Sequence, residues 1–330
     1  MDAALLVIVV VVALGFDFTN GFHDTANAVA TSVSTRALSP RLAVLTASAA
    51  NLAGAFVTTA VAKTVGKGII DSNLATTKTV LAALVGAIAW NLVTWWLGLP
   101  SSSSHALIGG LVGAALVQSG SNGVLWHGVA HRVVIPALVA PALAFGGAFV
   151  VLIAIFWLFV RMTPGVANRS FRLGQLGSGT WMAFTHGAND AQKTMGVITL
   201  ALVTSGHQAK FDHIPTWVIL AAGLAIACGT YVGGWRIMRT LGQRLYKMDP
   251  PAGFAAQSTA GAVIYLATHL GYPLSTTHVI SGSVLGAGST RRLSAVRWGL
   301  AGNIVGAWVL TIPAAALVAA ACYWPVVGIF

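Results

Sequence analysis

Asn20-Gly21-Phe22-His23-Asp24-Thr25-Ala26-Asn27 is a polar, charged phrase set inside a hydrophobic segment. A second version, His186-Gly187-Ala188-Asn189-Asp190-Ala191-Gln192-Lys193, interrupts another hydrophobic segment past the midpoint. On a helix, Asn20, Asp24 and Asn27 fall at i, i+4 and i+7 and share one face. His186, Asp190 and Lys193 take the same three places in the second phrase. An ionised carboxylate at mid-membrane costs roughly 2.5–3.5 kcal/mol even on the lenient insertion scale. Carrying that cost twice, in matching frames, points to a binding site between two halves of a transporter.

The surroundings make the bilayer the solvent. The 330 residues are 56% hydrophobic and 8% charged, with mean hydropathy +0.81, too apolar for the surface of a soluble domain. The formal charge of +11 does not imply nucleic acid, because the basic residues sit in short loops between apolar runs. Anchoring against an anionic leaflet accounts for them. Cys228 and Cys322 lie within hydrophobic segments and read as buried thiols rather than a disulfide framework. The start, Met1-Asp2, lacks the basic n-region of a signal peptide, so the first apolar run reads as a retained span.

At ~20 apolar residues per crossing, the expected fold is an all-α membrane protein of about ten passes. They fall near 3–35, 42–62, 79–97, 104–119, 133–160, 174–204, 214–234, 252–271, 278–290 and 298–322. The first and sixth are long and polar in the middle, which predicts broken helices or paired half-helices around the charged phrases.

Further matches follow in order. Pro100-Ser101-Ser102-Ser103-Ser104-His105 parallels Pro273-Leu274-Ser275-Thr276-Thr277-His278, and Ile135-Pro136-Ala137 parallels Ile312-Pro313-Ala314. The offsets are 166, 173 and 177, drifting as loop insertions would make them. This reads as a duplication, with residues 1–173 and 174–330 as two repeats of one membrane domain. Five spans per repeat is odd, so the second copy enters from the opposite side, as in many secondary transporters. With the N-terminus outside, twelve of the 18 Lys and Arg fall in inner loops and five in outer ones, leaving Lys193 in the membrane. The positive-inside rule then places both termini outside.

Asp24 and Asp190 are the groups to hold a coupling cation or proton, with neighbouring amides completing the coordination. The coupling-ion candidates are Asn20, His23, Asp24, Asn27, Asn189, Asp190 and Gln257. Ser102, Ser103, Ser104, Ser275, Thr276 and Thr277 each lie just after a proline and at the start of a glycine-bearing helix. Free N–H groups and the positive dipole end attract anions there, and hydroxyls add neutral donors. The substrate candidates are these six hydroxyl residues with Asp24, Asn27, Asp190 and Lys193. Lys193 stands where the first copy has Asn27, and either pairs with Asp190, neutralises the anion or replaces a bound cation. His105 and His278 close the hydroxyl turns and read as structural. Asn51 and Gln257 read as contacts between helices. No cofactor or resident metal is expected.

The two charged phrases resemble the paired signature of the inorganic phosphate transporter (PiT) family, and Pro273-Leu274-Ser275-Thr276-Thr277-His278 resembles its second hairpin motif. The likeness runs through nearly the whole chain. It implies an inverted-repeat carrier, a homodimer, that moves phosphate with a cation. It also implies that Asp24, Asn27, Asp190, Ser102 to Ser104 and Ser275 to Thr277 surround phosphate and coupling ions. His23 before Asp24, Gln192-Lys193 in the second signature and Asn51 depart from the sodium-coupled pattern. They make the chain look like the proton-linked bacterial branch, which is thought to carry phosphate partly as a neutral complex with a divalent metal. The expectation is therefore phosphate uptake across a bacterial inner membrane, with proton ahead of sodium as the coupling ion. Sulfate or another oxyanion is the alternative cargo. A channel and an intramembrane phosphate-transfer enzyme rank lower, the enzyme because the sequence shows neither an Arg-rich phosphate clamp nor a metal spacing such as His-Glu-x-x-His.

Overall fold

A computed structural model describes residues 2–330, and these are helical nearly throughout. In chain order the helices are α1 (Asp2–Ser34), α2 (Pro40–Gly54), α3 (Ala60–Lys67), α4 (Thr77–Leu97) and α5 (Ser103–Ser119). A short α6 (Trp126–Val129) runs through a π-turn into α7 (Ile135–Leu158). Then come α8 (Pro164–Thr204), α9 (Thr216–Val232), α10 (Trp235–Arg239), α11 (Pro250–His269), α12 (Thr276–Ser289) and α13 (Trp298–Ile329). Four segments are long and apolar enough to cross a membrane: 3–34, 77–97, 126–158 and 298–329. A fifth forms if α9 and the segment after it, bent by 59°, count as one span. Large apolar side chains such as Leu138, Trp157, Val309 and Leu317 are exposed, as a lipid-facing surface requires.

The charged phrases do not break their helices. α1 is continuous over 33 residues and α8 over 41. Neither has a proline past its first residue, and the polar side chains reach outward to other helices, leaving the backbone ladder whole. The connection expected over 161–173 is also shorter, because α8 begins at Pro164 with Thr163 before it.

The breaks lie instead at the hydroxyl turns. α4 ends on Gly98 (φ 66°), where Leu99 N–H returns to the Thr94 carbonyl at 2.9 Å. The turn between α11 and α12 repeats this at Gly271 (φ 75°), with Tyr272 N–H bonded to the Ala267 carbonyl at 2.9 Å. A left-handed residue closing onto the last helical turn is the reason for glycine at both corners.

Packing partners exchange between the halves: α1 lies on α9 while α8 lies on α2, and α5 lies on α13 while α12 lies on α7. Two apolar cores result. α1 contributes Val9 and Phe16 to one and Ala26 and Val29 to the other; α8 runs through them in reverse order, with Ala183 and then Ala191. The charged phrases sit where the two cores meet. Cys228 is exposed on α9 and Cys322 partly so on α13, so neither is the buried thiol expected; each lies on an outward helix face.

Candidate functional site

Between the cores, α1 and α8 cross and the N-termini of α5 and α12 meet them. Asp24 (2% exposed) and Asp190 (0%) lie at this crossing. Asn20 of α1 donates its amide to Asp190 Oδ2 at 3.4 Å, linking the two phrases directly.

The hydroxyl turns converge on the same point. Ser102 caps α5 by accepting from His105 N–H at 3.1 Å, and Ser275 caps α12 by accepting from His278 N–H at 3.3 Å. The next residues aim inward: Ser103 donates to Asp24 Oδ1 at 3.4 Å and Thr276 to Asp24 Oδ2 at 3.3 Å. Each phrase also reaches the other half's turn. Asn27 donates to Thr277 Oγ1 at 2.9 Å and Thr276 Oγ1 at 3.3 Å, while Lys193 donates to Ser104 and to the Leu274 carbonyl (2.9 Å). His105 and His278 meet edge to face, their ring centroids 4.7 Å apart, and His278 stacks on Trp308. All these side chains except the partly exposed Trp308 are buried, so the site is closed to solvent in this conformation.

The two carboxylates have different partners. His23 Nδ1 lies 2.5 Å from Asp24 Oδ1, a distance that requires a proton between them, and its Nε2 faces Thr94 Oγ1 at 3.1 Å. Asp190 is paired instead with Lys193 at 2.5 Å. Of the alternatives for Lys193, the structure displays the ion pair.

His186 is oriented by a chain of bonds that assigns its tautomer. Thr230 donates its hydroxyl to the Ile226 carbonyl at 2.8 Å and so accepts from Asn51 Nδ2 at 2.7 Å. Asn51 Oδ1 therefore faces His186 Nδ1 at 3.0 Å as an acceptor, which puts the ring proton on Nδ1. The Nε2 lone pair is left buried and unpartnered, 3.6 Å from Asp190 Oδ2. Two acceptors face each other there, an arrangement that a cation or proton would satisfy. One ligand atom each from Asp24, His186 and Asp190 lies within 4.8 Å of the other two, a set that fits a divalent ion.

Two expected ligands lie apart from this cluster. Gln257 joins Ser32 (2.7 Å) and Ser178 (3.0 Å) some two turns along α1, with both ends of its amide bonded. Asn189 donates to Thr268 Oγ1 at 2.8 Å and the Tyr272 carbonyl at 3.1 Å, holding the second turn just as His23 holds Thr94 near the first. Sequence reading missed Thr94 and Thr230, which hold His23 and Asn51, and also Asp17, which lies on α1 outside the cluster. Asp17 alone carried a signal, since it precedes Asn20 by three and Asp24 by seven on the same helical face.

A model of the phosphate transporter family matches residues 20–169 and 161–319. The chain belongs to the phosphate transporter family. It is therefore kin to transporters and is not an enzyme. A family relative from Mycobacterium tuberculosis, named "Probable low-affinity inorganic phosphate transporter", is 54% identical over 324 residues, covering 97% of this chain and 77% of its own length. Relatives of the same name from Rhizobium meliloti (48%) and Bacillus subtilis (43%) align over 98% of both chains. The solved structure of a family neighbour described as "The sodium-dependent phosphate transporter" superposes with a TM-score of 0.89 at 26% identity, over 99% of this chain and 100% of that one.

Proposed function

We propose that this chain is a secondary active transporter that carries inorganic phosphate into the cell with a coupling cation, a proton in preference to sodium. The observation that carries the reading is the convergence of Asp24, Asp190, Ser103, Ser104, Thr276 and Thr277 at one buried point. Hydroxyls on two helix N-termini offer an oxyanion neutral donors and the positive dipole end. The carboxylates accept from the protons of hydrogen phosphate, which sulfate lacks.

The unequal pairing of the carboxylates supports proton coupling. Lys193 supplies a fixed positive charge beside Asp190 and none beside Asp24. Asp24 is left with His23, a partner that gains and loses a proton. His186 Nε2, with Asp24 and Asp190, is suited to a divalent ion travelling as a neutral complex with phosphate.

The exchange of packing partners between halves supports two inverted repeats, 1–173 and 174–330, of five spans each. Ten passes, both termini outside, a homodimer and residence in the bacterial inner membrane complete the proposal. Alternating access then moves the closed site between the two faces once anion and cations are loaded.

Uptake of radiolabelled phosphate into proteoliposomes under imposed proton or sodium gradients tests this, with sulfate and arsenate as competitors. Accumulation driven by the proton gradient and competed by arsenate is expected. Preferential competition by sulfate would reassign the cargo, and equilibration without accumulation would make the protein a channel.

A further inference from the structure

Asp17 takes no part in the site described above, yet it is fully buried near the middle of α1. Neither carboxylate oxygen has a hydrogen-bond partner. Thr194 of α8 and Asn20 of α1 are the polar side chains beside it, and Thr194 Oγ1 and Asn20 Oδ1 are likewise buried without a hydrogen-bond partner. The charged groups facing it from α8 are Asp190 and Lys193, and Asp24 with His23 lies two turns along its own helix. Lys193 cannot serve it. Its three N–H donors are committed to Asp190, Ser104 and the Leu274 carbonyl. A fully buried carboxylate with no counter-ion of its own and at most the Thr194 hydroxyl to donate to it is costly when ionised, whereas a neutral carboxyl is readily held.

We propose that Asp17 is a proton-carrying residue of the transport cycle, additional to the His23–Asp24 pair, with Thr194 and Asn20 as its relay toward Asp190. In the closed state it holds the proton as a carboxylic acid. When the inner face opens, the O–H bond breaks, the proton passes to water and the carboxylate is hydrated. The emptied carrier returns by a closure that keeps the carboxylate hydrated, and reprotonation from the outer solution restores the acid before phosphate is next enclosed. This inference rests on the proton-coupled reading above.

The test uses the full chain in proteoliposomes containing a pH dye. Asp17→Asn keeps the neutral shape and cannot release a proton. Its phosphate–phosphate exchange is expected to match wild type, because exchange needs no net proton movement. Gradient-driven accumulation should fall about tenfold per pH unit imposed, since one proton across one pH unit is one decade in an equilibrium ratio. The dye should report one fewer proton per phosphate, and Asp17→Glu should restore both readouts. Wild-type accumulation and proton count in Asp17→Asn would overturn the inference alone, as would loss of exchange that Asp17→Glu does not rescue. Sodium-driven uptake by wild type without proton entry would overturn both the inference and the reading beneath it. Should Asp17→Asn not fold, Thr194→Val is expected to move the pH midpoint of accumulation with exchange intact, and an unmoved midpoint would sink the proposal.

Discussion

Lys193 places its ammonium 2.5 Å from the Asp190 carboxylate, one helical turn away on α8 and sealed from solvent. The corresponding place on α1 is Asn27, which leaves Asp24 to His23. One carboxylate thus has a lysine beside it and the other a histidine.

Lys193→Met strands the Asp190 charge. Breaking a buried pair from one side costs about 3–5 kcal/mol. A marked drop in unfolding temperature in detergent is expected, with most of it recovered in Lys193→Met/Asp190→Asn. A double variant no more stable than the single one would show that the pair does not hold α8 in place.

Asp24→Asn keeps the side chain's shape but replaces one of the two oxygens that accept from Ser103 and Thr276. Stability should fall by about 1–3 kcal/mol for the hydroxyl left without its acceptor, while phosphate accumulation falls to background. Normal accumulation by this variant in proteoliposomes would take Asp24 out of the coupling step.

Asn51→Leu frees His186 Nδ1 and so releases the tautomer that presents Nε2 to Asp190. Two buried hydrogen bonds are lost, at about 1–3 kcal/mol for the groups left unsatisfied. The apparent affinity for phosphate supplied with a divalent metal should weaken more than the maximal rate. A change in rate alone would point to a role in helix motion.

Gln257 sits apart from the carboxylates in a fully bonded cluster with Ser32 and Ser178. Gln257→Ala should lower stability by about 1–3 kcal/mol and leave the proton-to-phosphate ratio unchanged. A changed ratio, read with an internal pH dye, would return Gln257 to the coupling path.

Gly187 packs against the α2 backbone, where an added Cβ would lie 2.5 Å from Asn51 Cα. Gly187→Ala must push α2 away, at about 1–3 kcal/mol for an overpacked contact. Thermal unfolding checks this, and an unchanged midpoint would show that α2 and α8 part readily.

Much of the residue cluster was legible in the chain because similar polar phrases occur twice. Asp24 and Asp190 stand in matching frames, and the hydroxyl turns follow at nearly the same offset. The continuity of α1 and α8 was not legible. Polar residues in an apolar run suggest a broken ladder, yet here other helices take up their side chains and the backbone keeps its own bonds. Gln257 was misplaced for a related reason: a lone amide in a span has no pattern to say which neighbours it meets.

Composition and motif alone determined the apolar surroundings, the helical class and the pair of acidic residues, since each is a property of local order along the chain. Tertiary structure decided the rest. It gave Lys193 to Asp190 and His23 to Asp24, turned His186 Nε2 inward through Asn51 and Thr230, and left Asp17 without a partner. Those outcomes depend on which side chains meet across helices more than a hundred residues apart, where burial makes every unpaired charge costly.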